Sequence, residues 1–167
     1  MSITYLEAIR EAQAKALADD PRVYIYGQDV GAFGGAFKAT KNLAKEFPGR
    51  VLDAPISEDA IVGSAIGAAI EGMRPIIEMQ FADFSSVGFN QIVNHAATLY
   101  WRTEIPCPIT VRLPSGGNLG SGPFHSQCME AYLYRNLALA EKDWGARLSV
   151  IIALNSECER LRKIVGE

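Results

Sequence analysis

One stretch, Asp53 to Phe84, restricts the fold of this chain more than any other: DAPISEDAIVGSAIGAAIEGMRPIIEMQFADF. Pro55 pushes Ala54 toward extended geometry, because the proline ring crowds its predecessor out of the helical region. Ser57 then stands where a hydroxyl can accept from the free amides of a first helical turn. Glu58 and Asp59 fall in that turn, where negative charge complements the helix dipole. From Ile61 the run IVGSAIGAAIEG is apolar all round and dense in Gly, Ser and Ala. That pattern predicts a buried helix whose small residues let another backbone approach closely. Gly72 stops it in the C′ role, and Ile76 to Phe81 reads as a strand after Pro75. A carboxylate at the head of a buried helix makes Glu58 the first candidate for chemistry. Local sequence by itself favours a plainer role, that of a residue complementing the dipole.

The flanking segments repeat the alternation. Thr4 and Glu7 form a capping box ahead of Leu6, Ile9, Ala12, Ala16 and Leu17, an amphipathic first helix. Val23 to Tyr26 is a buried strand by its lack of polar alternation. A short helix closes at Phe47 before Pro48-Gly49, and Val51-Leu52 is the next strand. Val87 to Tyr100 carries apolar residues at helical spacing (Phe89, Ile92, Val93, Ala96, Leu99), with His95 placed on the helix surface. Ile109 to Leu113 and Leu148 to Leu154 are strand-like. Ser156 and Glu159 form a second capping box before a helix with Leu161, Ile164 and Val165. Strands alternating with helices predict an α/β fold: a mostly parallel, doubly wound sheet with helices on both faces. At 167 residues the chain reads as a single domain.

Two glycine-rich loops interrupt the pattern. Gly27 to Phe37 (GQDVGAFGGAF) has neither G-x-G-x-x-G spacing nor a Walker lysine, so it reads as a flexible loop ordered by a partner. The second runs from Pro114 to Gln127, PSGGNLGSGPFHSQ. A long loop leaving a strand is mobile or functional, since its backbone cannot be buried cheaply. His125 near its end is a candidate acid–base residue, because imidazole titrates near neutrality. The plainer role is to cap the following helix.

Composition narrows the classes. A net charge of −3 and the absence of a basic run argue against nucleic acid. Cys107, Cys128 and Cys158 are an odd, scattered set, which reads as free thiols in a reducing compartment. The N-terminal segment MSITYLEAIREAQ has no apolar core stretch, and no apolar run reaches membrane-spanning length, so the expected location is cytoplasmic.

Several of these motifs, in this order, resemble one family. Pro55-Ile56-Ser57-Glu58, the small-residue helix Gly63 to Gly72, Arg74-Pro75-Ile76, Glu78 to Phe84 and His125-Ser126-Gln127 look like the β subunits of thiamine-diphosphate-dependent 2-oxo acid dehydrogenases. These are the pyruvate, branched-chain and acetoin decarboxylating components, and the likeness covers roughly the first four-fifths of the chain. The resemblance implies the pyrimidine-side domain of a thiamine-diphosphate-binding fold. It implies that Glu58 hydrogen-bonds the cofactor's aminopyrimidine, that Phe84 stacks on the pyrimidine, and that Gln80 lines the pocket. His125 would assist acyl transfer to a lipoyl group, and the Ile109 carbonyl would match a structural potassium ligand. An α-type partner would hold the diphosphate and magnesium, since its Gly-Asp-Gly motif has no counterpart here. The further partners implied are a lipoyl-bearing acyltransferase core and an oligomeric assembly.

The likeness fades after about residue 133. A histidine- and proline-containing turn that the family places there is missing, and the family's C-terminal domain is absent from the sequence. Two other readings therefore stand beside the catalytic one. The first is a non-catalytic assembly domain of the same fold. The second is an unrelated doubly wound nucleotide- or flavin-binding module, disfavoured because no phosphate fingerprint appears.

Overall fold

The computed structural model describes residues 3–115 and 120–133, and the backbone alone of 149–153. Helix α1 (Tyr5–Asp19) begins on the capping box: Thr4 accepts from the Glu7 amide, and the Glu7 carboxylate accepts in return from the Thr4 amide. Strand β1 (Val23–Gly27) follows, then a long loop to the four-residue helix α2 (Leu43–Glu46) and strand β2 (Val51–Asp53). Helix α3 (Glu58–Ile70) leads into β3 (Arg74–Glu78). A 3₁₀ turn (Ala82–Ser86), a π-helical turn (Gln91–Ala96) and helix α4 (Ala97–Thr103) precede β4 (Thr110–Pro114). Strand β5 (Ser149–Ala153) pairs with β4.

The five strands among the described residues are all parallel, in the order β2-β1-β3-β4-β5. The expected doubly wound α/β architecture is therefore present. Its sheet reads outward in both directions from β1, which makes the gap between β1 and β3 a topological switch point. In open α/β sheets ligands bind at such points, beyond the carboxyl ends of the strands.

Each face of the sheet has its own core. Leu17 of α1 and Leu43 of α2 pack with Val23, Ile25, Val30 and Val51 on one side. On the other, Ile61, Val62, Ala65, Ile66 and Ala69 of α3 meet Ile77, Met79, Val111 and Leu113, with Ile92 and Ala96 closing the cluster. Pro75 sits in a central strand, where proline is normally excluded. It is tolerated because pairing with β4 begins only at Ile76, so the missing donor falls ahead of that ladder.

Several expectations change in detail. Helix α3 is not buried all round: Ala60, Ser64, Gly67 and Ile70 are exposed along one side. Ser57 is the N-cap residue, but its side chain makes no capping hydrogen bond. Gly72 does end the helix, at φ 91°, a left-handed geometry that only glycine adopts freely. The third strand ends at Glu78 rather than Phe81. Within the segment 87–100 lies the π turn, in which the Ala97 amide reaches back five residues to the Ile92 carbonyl. Its Ile92, Val93 and Ala96 are buried as expected, and His95 is on the surface. The strand expected over 148–154 is β5; the helix expected around Leu161 lies outside the described residues, as does Cys158.

Candidate functional site

The carboxyl ends of β1, β2 and β3 converge around the head of α3. Glu58, the first residue of α3, is 7% exposed, and its Oε1 accepts from Gln28 Nε2 at 2.9 Å. Gln28 directly follows β1 and is itself 4% exposed. The next residue, Asp29, is left-handed at φ 58°, unusual outside glycine. Its Oδ2 accepts from Gln80 Nε2 at 2.9 Å, a bond that spans the β1/β3 switch point. Asp59 is bound in the same manner, its Oδ2 accepting from Gln91 Nε2 at 3.2 Å. Three carboxylates around one helix start are thus each held by a glutamine amide. Among the described residues none of them has an ion-pair partner.

The loop that carries Gln28 is braced rather than loose, which corrects the flexible reading. The Gly35 amide donates to the Asp29 carbonyl at 2.8 Å, and Thr40 Oγ1 donates to the Val30 carbonyl at 2.7 Å. The Gly31 amide donates to Asp53 Oδ1, and a Cβ added at Gly31 would stand 2.5 Å from Asp53 Oδ2. Val30, Ala39 and Thr40 are fully buried.

A ring cluster forms the second half of the site. Phe81 makes edge contacts to Phe37 (5.5 Å between centroids), Phe84 (5.6 Å) and His125 (4.6 Å). Phe84 and His125 are themselves 5.4 Å apart. Offset and edge-on geometries of this kind are the favoured aromatic contacts. Beneath them Asp83 is buried and accepts from the Gln127 amide at 3.1 Å. Three buried polar atoms here have no hydrogen-bond partner among the described residues: His125 Nδ1, Asp83 Oδ2 and Ser85 Oγ. Such orphans are uncommon in proteins and suit a site built to be completed by a ligand. His125 does not cap the next helix, which begins at Glu130.

The structure therefore brings Phe84 and His125 together, and sets Glu58 and Gln80 on the same edge of the sheet through Gln28 and Asp29. Ile109 is elsewhere. It is 1% exposed and precedes β4, so it lies at the opposite end of the strands. Gln28, Asp29 and Phe81 were not singled out from sequence. The signal for the first two was their position, since they directly follow a parallel strand.

This is a switch-point α/β domain with a buried carboxyl at the head of α3 and an aromatic cluster after β3. The chain belongs to the transketolase pyrimidine-binding-domain family, whose pattern matches residues 1–140. It is 47% identical over 132 residues to the 2-oxoisovalerate dehydrogenase subunit beta of Bacillus subtilis (strain 168), covering 77% of this chain and 40% of that protein. To the pyruvate dehydrogenase E1 component subunit beta of Mycoplasma pneumoniae it is 45% identical over 136 residues, 80% of this chain and 41% of that one. The chain thus spans about two-fifths of the length of these relatives. A solved split-gene transketolase, described as an inactive beta4 tetramer, shares the fold with a TM-score of 0.66 at 19% identity. The match covers 92% of this chain and 51% of that one.

Proposed function

We infer that this chain works as a β-type subunit of a thiamine-diphosphate-dependent 2-oxo acid dehydrogenase decarboxylating component, supplying the aminopyrimidine half of a shared site. The observation that carries this is Glu58: a buried carboxyl at the switch-point edge, held by a neutral amide and, among the described residues, without an ion-pair partner. A carboxyl so placed can hold or release a proton at its oxygens, as a ring nitrogen requires of it. The donor set fits the group. Glu58 is the polar handle, Phe84 the apolar face, and the unpartnered His125 nitrogen a second proton-bearing position. When bound, thiamine diphosphate supplies the carbanion chemistry that opens the 2-oxo acid at its carboxylate carbon and retains the electrons.

On this reading Gln80 lines the cofactor pocket, Phe84 stacks on the pyrimidine, and His125 serves the acyl transfer to a lipoyl-bearing core. Diphosphate and magnesium fall to an α-type partner, and the working form is an oligomer in the cytoplasm. Among the described residues no helix is long and apolar enough to cross a membrane.

Reconstitution with an α-type subunit tests the reading. Turnover of pyruvate or branched-chain 2-oxo acids is expected from the pair. Glu58→Gln should lower it by about 10²- to 10⁴-fold while leaving the fold intact, because the amide keeps the size but cannot relay the proton. Near-normal turnover in that variant would sink the assignment of Glu58. A folded pair that binds but never turns over would favour the assembly-domain reading.

A further inference from the structure

We propose that Gln28 is the positioning residue for Glu58, a neutral clamp that serves the carboxyl in both of its protonation states. The proposal rests on the reading of Glu58 as the working carboxyl. Gln28 Nε2 stands 2.9 Å from Glu58 Oε1, and both side chains are more than nine-tenths buried. A glutamine amide carries a donor and an acceptor on one rotor. With Nε2 toward Glu58 it donates to the carboxylate; turned over, its Oε1 accepts from the carboxylic acid. In either state the two facing atoms are matched as donor and acceptor; a mismatch there would cost about 1–3 kcal/mol.

A charged clamp could not do this. A lysine or arginine would lock Glu58 ionised, and a second carboxylate would repel it. The surroundings keep to the same rule. Asp29, next in sequence to Gln28, is held by Gln80, and Asp59, next to Glu58, is held by Gln91. Among the described residues, these two neighbouring carboxylates are therefore held by amides and not by a cation. The backbone fixes the clamp in turn. Gln28 leaves β1 directly after Gly27, and the loop beyond it is tied down at Gly31, Gly35 and Thr40.

Two measurements test the clamp, one of them free of cofactor. In ¹H–¹⁵N spectra of the full chain, the Gln28 side-chain amide, identified by its loss in Gln28→Leu, should shift in Glu58→Ala. An amide resonance indifferent to Glu58→Ala would overturn the contact, whatever the reconstituted pair does. In the pair, Gln28→Leu should lower kcat on the order of 10- to 100-fold with KM for the 2-oxo acid unchanged, because a misaimed carboxyl loses chemistry rather than substrate. Gln28→Asn, with a shorter reach, should recover part of that loss. Added to Glu58→Gln, Gln28→Leu should cost nothing more. Additive losses would mean that Gln28 acts independently of Glu58, and the clamp would be rejected. Should wild-type pairs show no turnover, the dehydrogenase reading fails, while the amide spectrum still decides whether Gln28 holds Glu58.

Discussion

Glu78 and Arg112 stand opposite one another in the β3–β4 register and form a buried ion pair, with Arg112 Nε 2.8 Å from Glu78 Oε2. Glu78 is 2% exposed and Arg112 5%. The pair lies at the carboxyl ends of two central strands, directly under the Gly35 turn, where an added Cβ would come 3.1 Å from Glu78 Oε1.

Removing one partner leaves the other charge uncompensated. Arg112→Met should therefore destabilise the chain by about 3–5 kcal/mol, whereas the double change Arg112→Met with Glu78→Gln should cost much less. Urea unfolding of both variants measures this. Equal losses in the two would mean that the pair's burial does not govern its energetics.

Much of the frame was legible because apolar runs punctuated by Gly and Pro have few ways to fold. Val23 to Tyr26, Val51-Leu52 and Ile109 to Leu113 all lie within strands or at their edges, and Thr4 with Glu7 caps α1 as the spacing requires. What escaped has physical reasons. A π turn slips the helical period by one residue, so Gln91 to Ala96 looks like ordinary helix in sequence. Helix α3 has no polar face to mark its open side, because Ala60, Ser64 and Gly67 are small rather than charged. Of the site, Glu58, Phe84 and His125 were reachable through motif resemblance. Gln28 was not, since its position after a strand gains meaning only once the sheet order puts that strand at the switch point and the fold sets Gln28 beside Glu58.

If, as proposed, this chain contributes only the pyrimidine-facing half of a shared site, an expectation for binding follows. Titration of the isolated chain with thiamine diphosphate should give a dissociation constant weaker than about 1 μM, corresponding to less than about 8 kcal/mol. The α-type partner should restore tight binding. Micromolar or tighter affinity in the lone chain would place the diphosphate anchor within these residues.

The cysteines offer a check on packing that is independent of function. Burial pushes the Cys107 thiol up to about 11 from its ordinary 9.0, while Cys128 is exposed. At pH 8, peptide-resolved iodoacetamide labelling should modify Cys128 and spare Cys107 until the chain is unfolded. The sign for stability follows from the raised value. The folded state keeps this proton more firmly than the unfolded state, so the contribution is intact below about 9 and is lost as pH rises toward 11. Rapid labelling of Cys107 in the folded chain would contradict its place in the α3 core.

Gly67 separates the chain's own stability from that of its assembly. It lies in the last turn of α3, exposed, and a Cβ added there meets nothing within 4 Å. Alanine is favoured over glycine inside a helix by about 1 kcal/mol, so Gly67→Ala should stabilise the isolated chain by about that amount. Ala60, Ser64 and Gly67 follow one another at helical spacing and share a side of the helix. Beside them is an open hollow of about 380 Å³, lined by Tyr24, Tyr26, Leu52, Ser64 and Met73 among others. If the assembly seats another backbone on this side, the new methyl intrudes where only glycine allowed close approach. The variant should then unfold at higher denaturant yet associate more weakly, as read by light scattering across a dilution series. Stabilisation with unchanged association would put the interface on another face, and a loss of stability would show that Gly67 is not free in the folded chain.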